Sequence, residues 1–245
     1  METRLHLDIQ AQPDDASCGP TCLHAVYRYY GDLIDLHQVI EEVDMLDEGG
    51  TLAVLLACHA LKRGYQAKIY TYNLHVFDPL WFKGDACISE RLQKQMKVKK
   101  VPKLQFASKA YLEFLERGGR LEFQDLTSGL IIRYLSRSIP ILTGLSATYL
   151  YRASREIGDL NKTDDIRGEP AGHFVVLSGY RRQHRDVLVA DPYRSNPMSD
   201  THYYLLDIER VICAILLGIV TYDANLLIIE PPTSGAKSDA SSDHS

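Results

Sequence analysis

Apolar positions recur at helical spacing through the first half of the chain and at strand spacing through much of the second. Residues 4–10, Arg-Leu-His-Leu-Asp-Ile-Gln, alternate apolar with polar, which predicts a short strand. After the loop Pro13-Asp14-Asp15-Ala16-Ser17, the residues Leu23, Val26, Tyr27 and Tyr30 share one side of a helix that Gly31 stops. Leu36, Val39, Ile40 and Val43 form the stripe of a second, acidic helix over 35–43. Thr51 is placed to cap a third over 52–63, which Gly64 ends before a strand over 66–72. Further helices are predicted over 85–97, 108–117 and 129–136, the last capped by Thr127 or Ser128. A strand follows over 139–145, with Pro140 confined to its first residues. The apolar runs 174–180 and 187–190 predict two more, joined by the polar Arg181–Asp186. The polar segment 158–172 predicts a long exposed loop, 212–220 a late buried element and 226–229 a closing strand. Helices first and strands afterwards predict an α+β fold, a helical half packed against a sheet.

Composition changes this picture little. The chain has 245 residues, 45% hydrophobic and 24% charged, which is ordinary for a globular protein and enough for a sizeable core. The tail 231–245 is mostly Pro, Ser, Gly, Ala and Asp, cannot bury a core, and is expected to be disordered. Charge excludes one class of function: the net value is -5 and the basic run Lys94–Lys103 is broken by apolar residues, so nucleic-acid binding is not the main task. The N-terminus lacks the unbroken apolar core of a secretory signal, and the longest apolar run, Val211–Val220, is about half a membrane span. Cys18, Cys22, Cys58, Cys87 and Cys213 are odd in number and scattered, which favours reduced thiols over a disulfide framework. A cytoplasmic protein with no membrane partner is expected.

The candidate chemistry starts at Cys18, delivered by the loop to the first turn of the first helix. A thiol there sees the partial positive charge of the helix N-terminus, which favours the nucleophilic thiolate. Such a nucleophile needs a base, a group that orients the base, and donors for the oxyanion. His173 stands at the junction of the polar loop and an apolar strand, and Asp191 follows the next strand in Val187-Leu188-Val189-Ala190-Asp191-Pro192. If these strands pair as a hairpin, both residues lie at the same open end, and Asp191 can hold one ring nitrogen while the other faces Cys18. Gln12, six residues before Cys18, can complete an oxyanion hole with the Cys18 amide.

Gln12 ahead of Cys18-Gly19-Pro20, a helix ending Tyr29-Tyr30-Gly31, and the later block Gly172-His173-Phe174-Val175-Val176-Leu177-Ser178-Gly179-Tyr180 with Val189-Ala190-Asp191-Pro192 resemble the papain-like cysteine peptidases. The chain most resembles their family thirty-nine, the relatives of the bacteriocin double-glycine leader peptidases, over roughly residues 8–65 and 138–195. The resemblance implies the papain-like fold and a Cys18-His173-Asp191 triad with Gln12 in the oxyanion hole; a peptide or amide substrate is expected, with no cofactor or metal. One catalytic domain over 1–230 is expected, a stand-alone member without transporter domains, with a possible helical insertion at about 73–137. The same acyl-thioester step also serves an acyl or γ-glutamyl transferase, and a catalytically silent peptide-binding module is the reading from another class.

Three further features stay open at this level. Cys22, one turn after Cys18, is either a core residue or, with His24 or His59, part of a redox or metal pair; the absence of tight ligand spacing favours the core. Cys58 and His59 lie in a mostly apolar helix and are expected in the core. Tyr149 and Tyr151 either line a substrate groove or pack inside, and the acidic segment 159–169 is either a lid or a solvated loop.

Overall fold

Consecutive residues of the central strands are apolar on both faces, and the sheet they build is covered on both sides. The computed structural model describes residues 2–46, 49–84, 86–158 and 162–232. Its strands are Glu2–Arg4 (β1), Gln66–Thr71 (β2), Arg120–Glu122 (β3), Ile141–Ser146 (β4), Glu156–Ile157 (β5), Lys162–Thr163 (β6), Gly172–Arg181 (β7), Asp186–Ala190 (β8), Tyr203–Asp207 (β9) and Asn225–Glu230 (β10). The main sheet has the order β3-β2-β10-β4-β7-β8-β9, with β1 beside the far end of β7, while β5 and β6 form a separate hairpin. Its ladders are antiparallel except β2 with β3.

The helices are Cys18–Tyr29 (α1), Leu36–Glu42 (α2), Ala53–Lys62 (α3), Ile88–Val98 (α4), Pro102–Glu116 (α5), Ser128–Leu135 (α6), Ala147–Tyr151 (α7) and Ile208–Leu217 (α8). Phe174 and Val176 of β7, Leu142 of β4, and Leu227 and Ile229 of β10 pack with residues of α1 to α5. The alternate residues Val175, Leu177, Ile141, Leu226 and Ile228 pack with α6, α7 and α8. The period of two thus feeds two cores from one sheet. The expected α+β class holds, but helices lie on both faces rather than in one half.

Local differences from the sequence reading have identifiable causes. Leu5, Leu7 and Ile9 are buried in the predicted alternation, yet the N-terminal strand ends at Arg4. Beyond it, the Tyr203 hydroxyl donates to Leu7 O and accepts from Ile9 N, both at 3.0 Å, so a side chain takes over from the ladder. Thr51 does not cap α3; its hydroxyl donates to Asp44 O at 2.9 Å, and Leu52 holds the cap position. The helix expected from 108 starts at Pro102, whose missing N–H costs nothing in a first turn. The segment 158–172 includes β6 and the start of β7, and β9 was not foreseen. Within 73–137, α5 packs on α3 and buries Tyr111 and Phe114. The expected disorder from 233 onward, and residues 159–161 of the acidic segment, lie outside the described residues. No described helix is long and apolar enough to cross a membrane.

What positions the site is the seating of α1. Every residue from Cys18 to Tyr27 is buried, so the helix runs through the core instead of lying on it. Its close approach to β7 depends on Gly19: a Cβ there would meet Thr51 Cγ2 at 2.6 Å and Phe174 Cδ2 at 3.2 Å. Gly129 has only Thr127 Oγ1, 3.6 Å away, in that position. Gly19→Ala is therefore expected to destabilise the protein by about 1–3 kcal/mol through overpacking. Gly129→Ala is expected to be neutral or stabilising by up to about 1 kcal/mol. Urea denaturation of the two variants measures both.

Candidate active site

Cys18 is the first residue of α1, and the loop before it is braced. Asp14 accepts from Ala16 N at 2.9 Å, and the Ser17 hydroxyl donates to Asp14 O at 3.2 Å. Pro20 sits in the first turn, where its lack of an N–H is harmless. Cys18 lines a cleft of about 400 Å³ with Thr51, Gly172 and His173. Its thiol lies near enough to His173 to help raise the pKa of the ring.

His173 enters from the first residues of β7. Its Nε2–H donates to Asp191 Oδ1 at 2.8 Å, which leaves Nδ1 for the thiol. Pairing of Val176 with Ala190 across the β7–β8 hairpin brings the two to one end, as the sequence predicts. Burial opposes the imidazolium, but the Asp191 hydrogen bond and charge, then the Cys18 contact, outweigh it and raise the His173 pKa to about 10. Asp191 is wholly buried. Its Oδ1 also accepts from Tyr193 N at 2.9 Å, and its Oδ2 from Tyr151 Oη at 2.7 Å and Tyr204 Oη at 2.6 Å. Burial pushes this carboxyl up, yet the bonds from His173, Tyr204 and Tyr151 hold it below the usual carboxylate range. Burial and the Asp191 charge push both tyrosines far above theirs, so they remain donors.

Gln12 is tied to the same end of the hairpin: its backbone N donates to Pro192 O at 3.0 Å. Its Nε2 donates one hydrogen to Asp14 O at 2.9 Å, so the amide's second N–H is still to be used. Gln12 lines a second cavity, of about 450 Å³, with Tyr151, Tyr193 and His173. The two cavities share Asp15, Gly172 and His173 in their walls; Cys18 lines the first and Gln12 the second.

The sequence reading brought together Cys18, His173 and Asp191 but missed what holds Asp191. Tyr151 neither lines a groove alone nor simply packs; it bonds the carboxylate, while Tyr149 is 41% exposed on the outer surface. Tyr204 belongs to the unforeseen β9 and points inward between half-buried Tyr203 and exposed Leu205, an alternation of burial that the residue types Tyr203-Tyr204-Leu205-Leu206-Asp207 do not display. Asp223, also unforeseen, lines the cleft with Cys18. Cys22 packs in the core, its thiol donating to Phe174 O at 3.3 Å, and burial pushes its pKa well up. Burial likewise pushes Cys58 up to about 12. His59 is held between Tyr27 Oη at 2.8 Å and Glu42 Oε2 at 3.0 Å, and burial lowers its pKa. Among the described residues, no three His, Cys, Asp or Glu side chains are grouped to hold a metal.

Comparison with known proteins gives one family. Residues 107–209, the part that carries His173 and Asp191, match the Peptidase_C39 like family. The resemblance read from the sequence is to the same family. The chain is also similar to solved structures at low identity. One is a C39-like peptidase from Bacillus anthracis, 16% identical over 94% of this chain and 97% of that one, with a TM-score of 0.48. Another is a double glycine motif protease from an AMS/PCAT transporter in complex with the leader peptide, 16% identical over 94% of each chain, with a TM-score of 0.44. A third is xylellain, a cysteine protease from Xylella fastidiosa, 13% identical over 94% of this chain and 85% of that one, with a TM-score of 0.41. No curated protein matches the chain.

The Asp191 cluster fixes a pH signature. The raised pKa of His173 means that its contribution to stability is fully present below the unfolded value, about 6.5, and is lost as pH rises through about 10. The lowered pKa of Asp191 means that its contribution is present above the unfolded value, about 3.9, and is lost in acid. Asp191→Asn is expected to cost about 3–5 kcal/mol near pH 6. That cost should shrink as the pH is taken from 6.5 toward 10. Tyr204→Phe, which removes one of the bonds, is expected to cost about 1 kcal/mol. Urea titrations of wild type and both variants at several pH values check this.

Proposed function

From the similarity to the Peptidase_C39 like family, we propose that this chain is a cysteine peptidase-like hydrolase in which Cys18, His173 and Asp191 act as a triad. The observation that carries the reading is the hydrogen bond from His173 to the buried Asp191 at the wall of an open cleft that Cys18 also lines. His173 Nδ1 holds the proton given up by the thiol, and Sγ attacks the scissile carbonyl carbon. The oxyanion is held by the backbone N–H of Cys18, one of the first-turn donors without a helical partner, and by the second N–H of the Gln12 amide. On collapse His173 returns its proton to the leaving amine, and the acyl group stays on Sγ as a thioester. His173 then deprotonates a water, which attacks the thioester carbon. The carboxylic acid leaves and Sγ recovers the proton.

Asp191 orients the ring and favours its protonated form, while the tyrosines keep Asp191 ionised in a place where burial alone would neutralise it. Neighbouring cavities of about 400 and 450 Å³ that share His173 in their walls support a peptide substrate that extends past the triad.

Cys18→Ala is expected to abolish peptide hydrolysis, and Gln12→Ala to lower kcat by about 10²–10³-fold. The assay is cleavage of a mixed peptide library followed by mass spectrometry. In the wild type, iodoacetamide should alkylate Cys18 faster than the exposed Cys87 and Cys213. Full hydrolytic activity in Cys18→Ala would sink the proposal.

A further inference from the structure

Asp223 is a buried carboxylate that the proposed mechanism does not use. It is 5% exposed, yet it lines the same cleft as Cys18 and His173. Its backbone N donates to Gly218 O at 2.9 Å, which fixes the residue just ahead of β10. Its side chain is poorly served. Oδ1 is buried with no hydrogen-bond partner, and Oδ2 has the Thr221 hydroxyl at 3.1 Å. That hydroxyl also lies 3.1 Å from Gly218 O and has one proton for the two acceptors. A carboxylate with about four lone-pair positions therefore receives at most one donor from its surroundings. Leaving a buried acceptor unmade costs stability, and nothing in the packing of the two cores requires an acid here.

The backbone around Asp223 is kept bare. A Cβ on Gly144 would come within 2.6 Å of Asp223 Cβ. A Cβ on Gly172, at the cleft rim beside His173, would come within 2.8 Å of Thr221 Oγ1 and 3.1 Å of Asp223 Oδ2. Glycine at 144 and 172 is what lets Thr221 and Asp223 sit this close to the wall of the cleft. Lys103 of α5 lines the same cleft, but its ammonium sits 5.1 Å above the Tyr222 ring. It supports the carboxylate's charge from a distance and leaves Oδ1 without a donor.

We propose that Asp223 is the specificity-determining residue of the cleft, accepting a charge-assisted hydrogen bond from a basic side chain of the substrate next to the scissile bond. This rests on the hydrolase reading above. The substrate's ammonium or guanidinium supplies the donor that the protein withholds, and its stem lies along Gly172 and Phe174. A residue kept for binding in this way is stored at a cost to the free protein. Asp223→Asn should then melt higher than wild type at pH 8, whereas an acid kept for structure would give the opposite shift.

The test uses tripeptide vinyl sulfones carrying lysine or norleucine at the first, second or third residue before the reactive group. The rate of Cys18 adduct formation is read by intact mass. At one position the lysine probe should react at least tenfold faster than its norleucine partner, and in Asp223→Asn that ratio should fall to within twofold. A second reading needs no variant. Burial raises the Asp223 pKa to about 7 against the Thr221 bond and the charges of Lys103 and His173, so the wild-type ratio should decline as pH falls from 8 to 6. The lysine ammonium and the His173 cation stay charged across that range. A ratio near one at all three positions, or a ratio unchanged in Asp223→Asn, overturns the assignment. If Cys18 ignores both the vinyl sulfones and iodoacetamide, it is the hydrolase reading that fails. Iodoacetamide labelling without a lysine preference overturns the role of Asp223 alone.

Discussion

A carboxylate shut off from water can stay ionised only if its lone pairs are filled, and Asp191 is filled from three directions. His173 comes from β7, Tyr151 from the end of α7 and Tyr204 from β9, with the Tyr193 amide closing the last side. Even its backbone is engaged, donating from N to His202 O at 2.8 Å and accepting at O from His202 Nδ1 at 2.7 Å. Three elements are thus locked to one side chain, and the geometry of the imidazole beside Cys18 follows from that lock. The stabilising bonds are individually modest, about 1 kcal/mol each. Their joint effect is to make any other rotamer of His173 expensive, because each alternative strands a buried charge.

The second constraint is room. Gly19 lets α1 approach Thr51 and Phe174, Gly144 accommodates Asp223, and Gly172 makes room for Thr221 and Asp223 at the rim of the cleft. Their absent side chains shape the space in front of the thiol as much as the residues that line it. The rigid cluster behind His173 and the bare backbone beside it are complementary: one fixes the reacting groups, the other decides what can reach them.

Much of this was legible in the chain because it is local. The Cys18 helix, the β7–β8 hairpin and the convergence of His173 with Asp191 all follow from periodicity and from side chains near strand ends. Gln12 was placed by spacing alone, and the structure puts it beside the hairpin through Pro192. What escaped was non-local. Tyr151 and Tyr204 reach Asp191 across sequence separations of 40 and 13 residues, which no pattern of burial announces. Asp223 sits in an irregular turn after a positive-φ residue, Tyr222 at 73°, where the alternation that marks strands is absent. The double covering of the sheet was hidden for a related reason: strands buried on both faces have apolar runs instead of alternation, and such runs do not say where the second layer comes from.

The clamp made by the Tyr203 hydroxyl on Leu7 and Ile9 has a mechanical meaning. Together with Leu5 N on Ser178 O and Gln12 N on Pro192 O, it laces the N-terminal segment to β7, β8 and β9. Gln12 therefore travels with the ribbon that carries His173 and Asp191, although in sequence it is the close neighbour of Cys18. Cys18 rides on α1, and the covalent joint between the two sets of groups is the short stretch Pro13–Ser17, held in shape by Asp14. The separation of Cys18 from Gln12 is therefore set by that stretch together with the packing of α1 on β7.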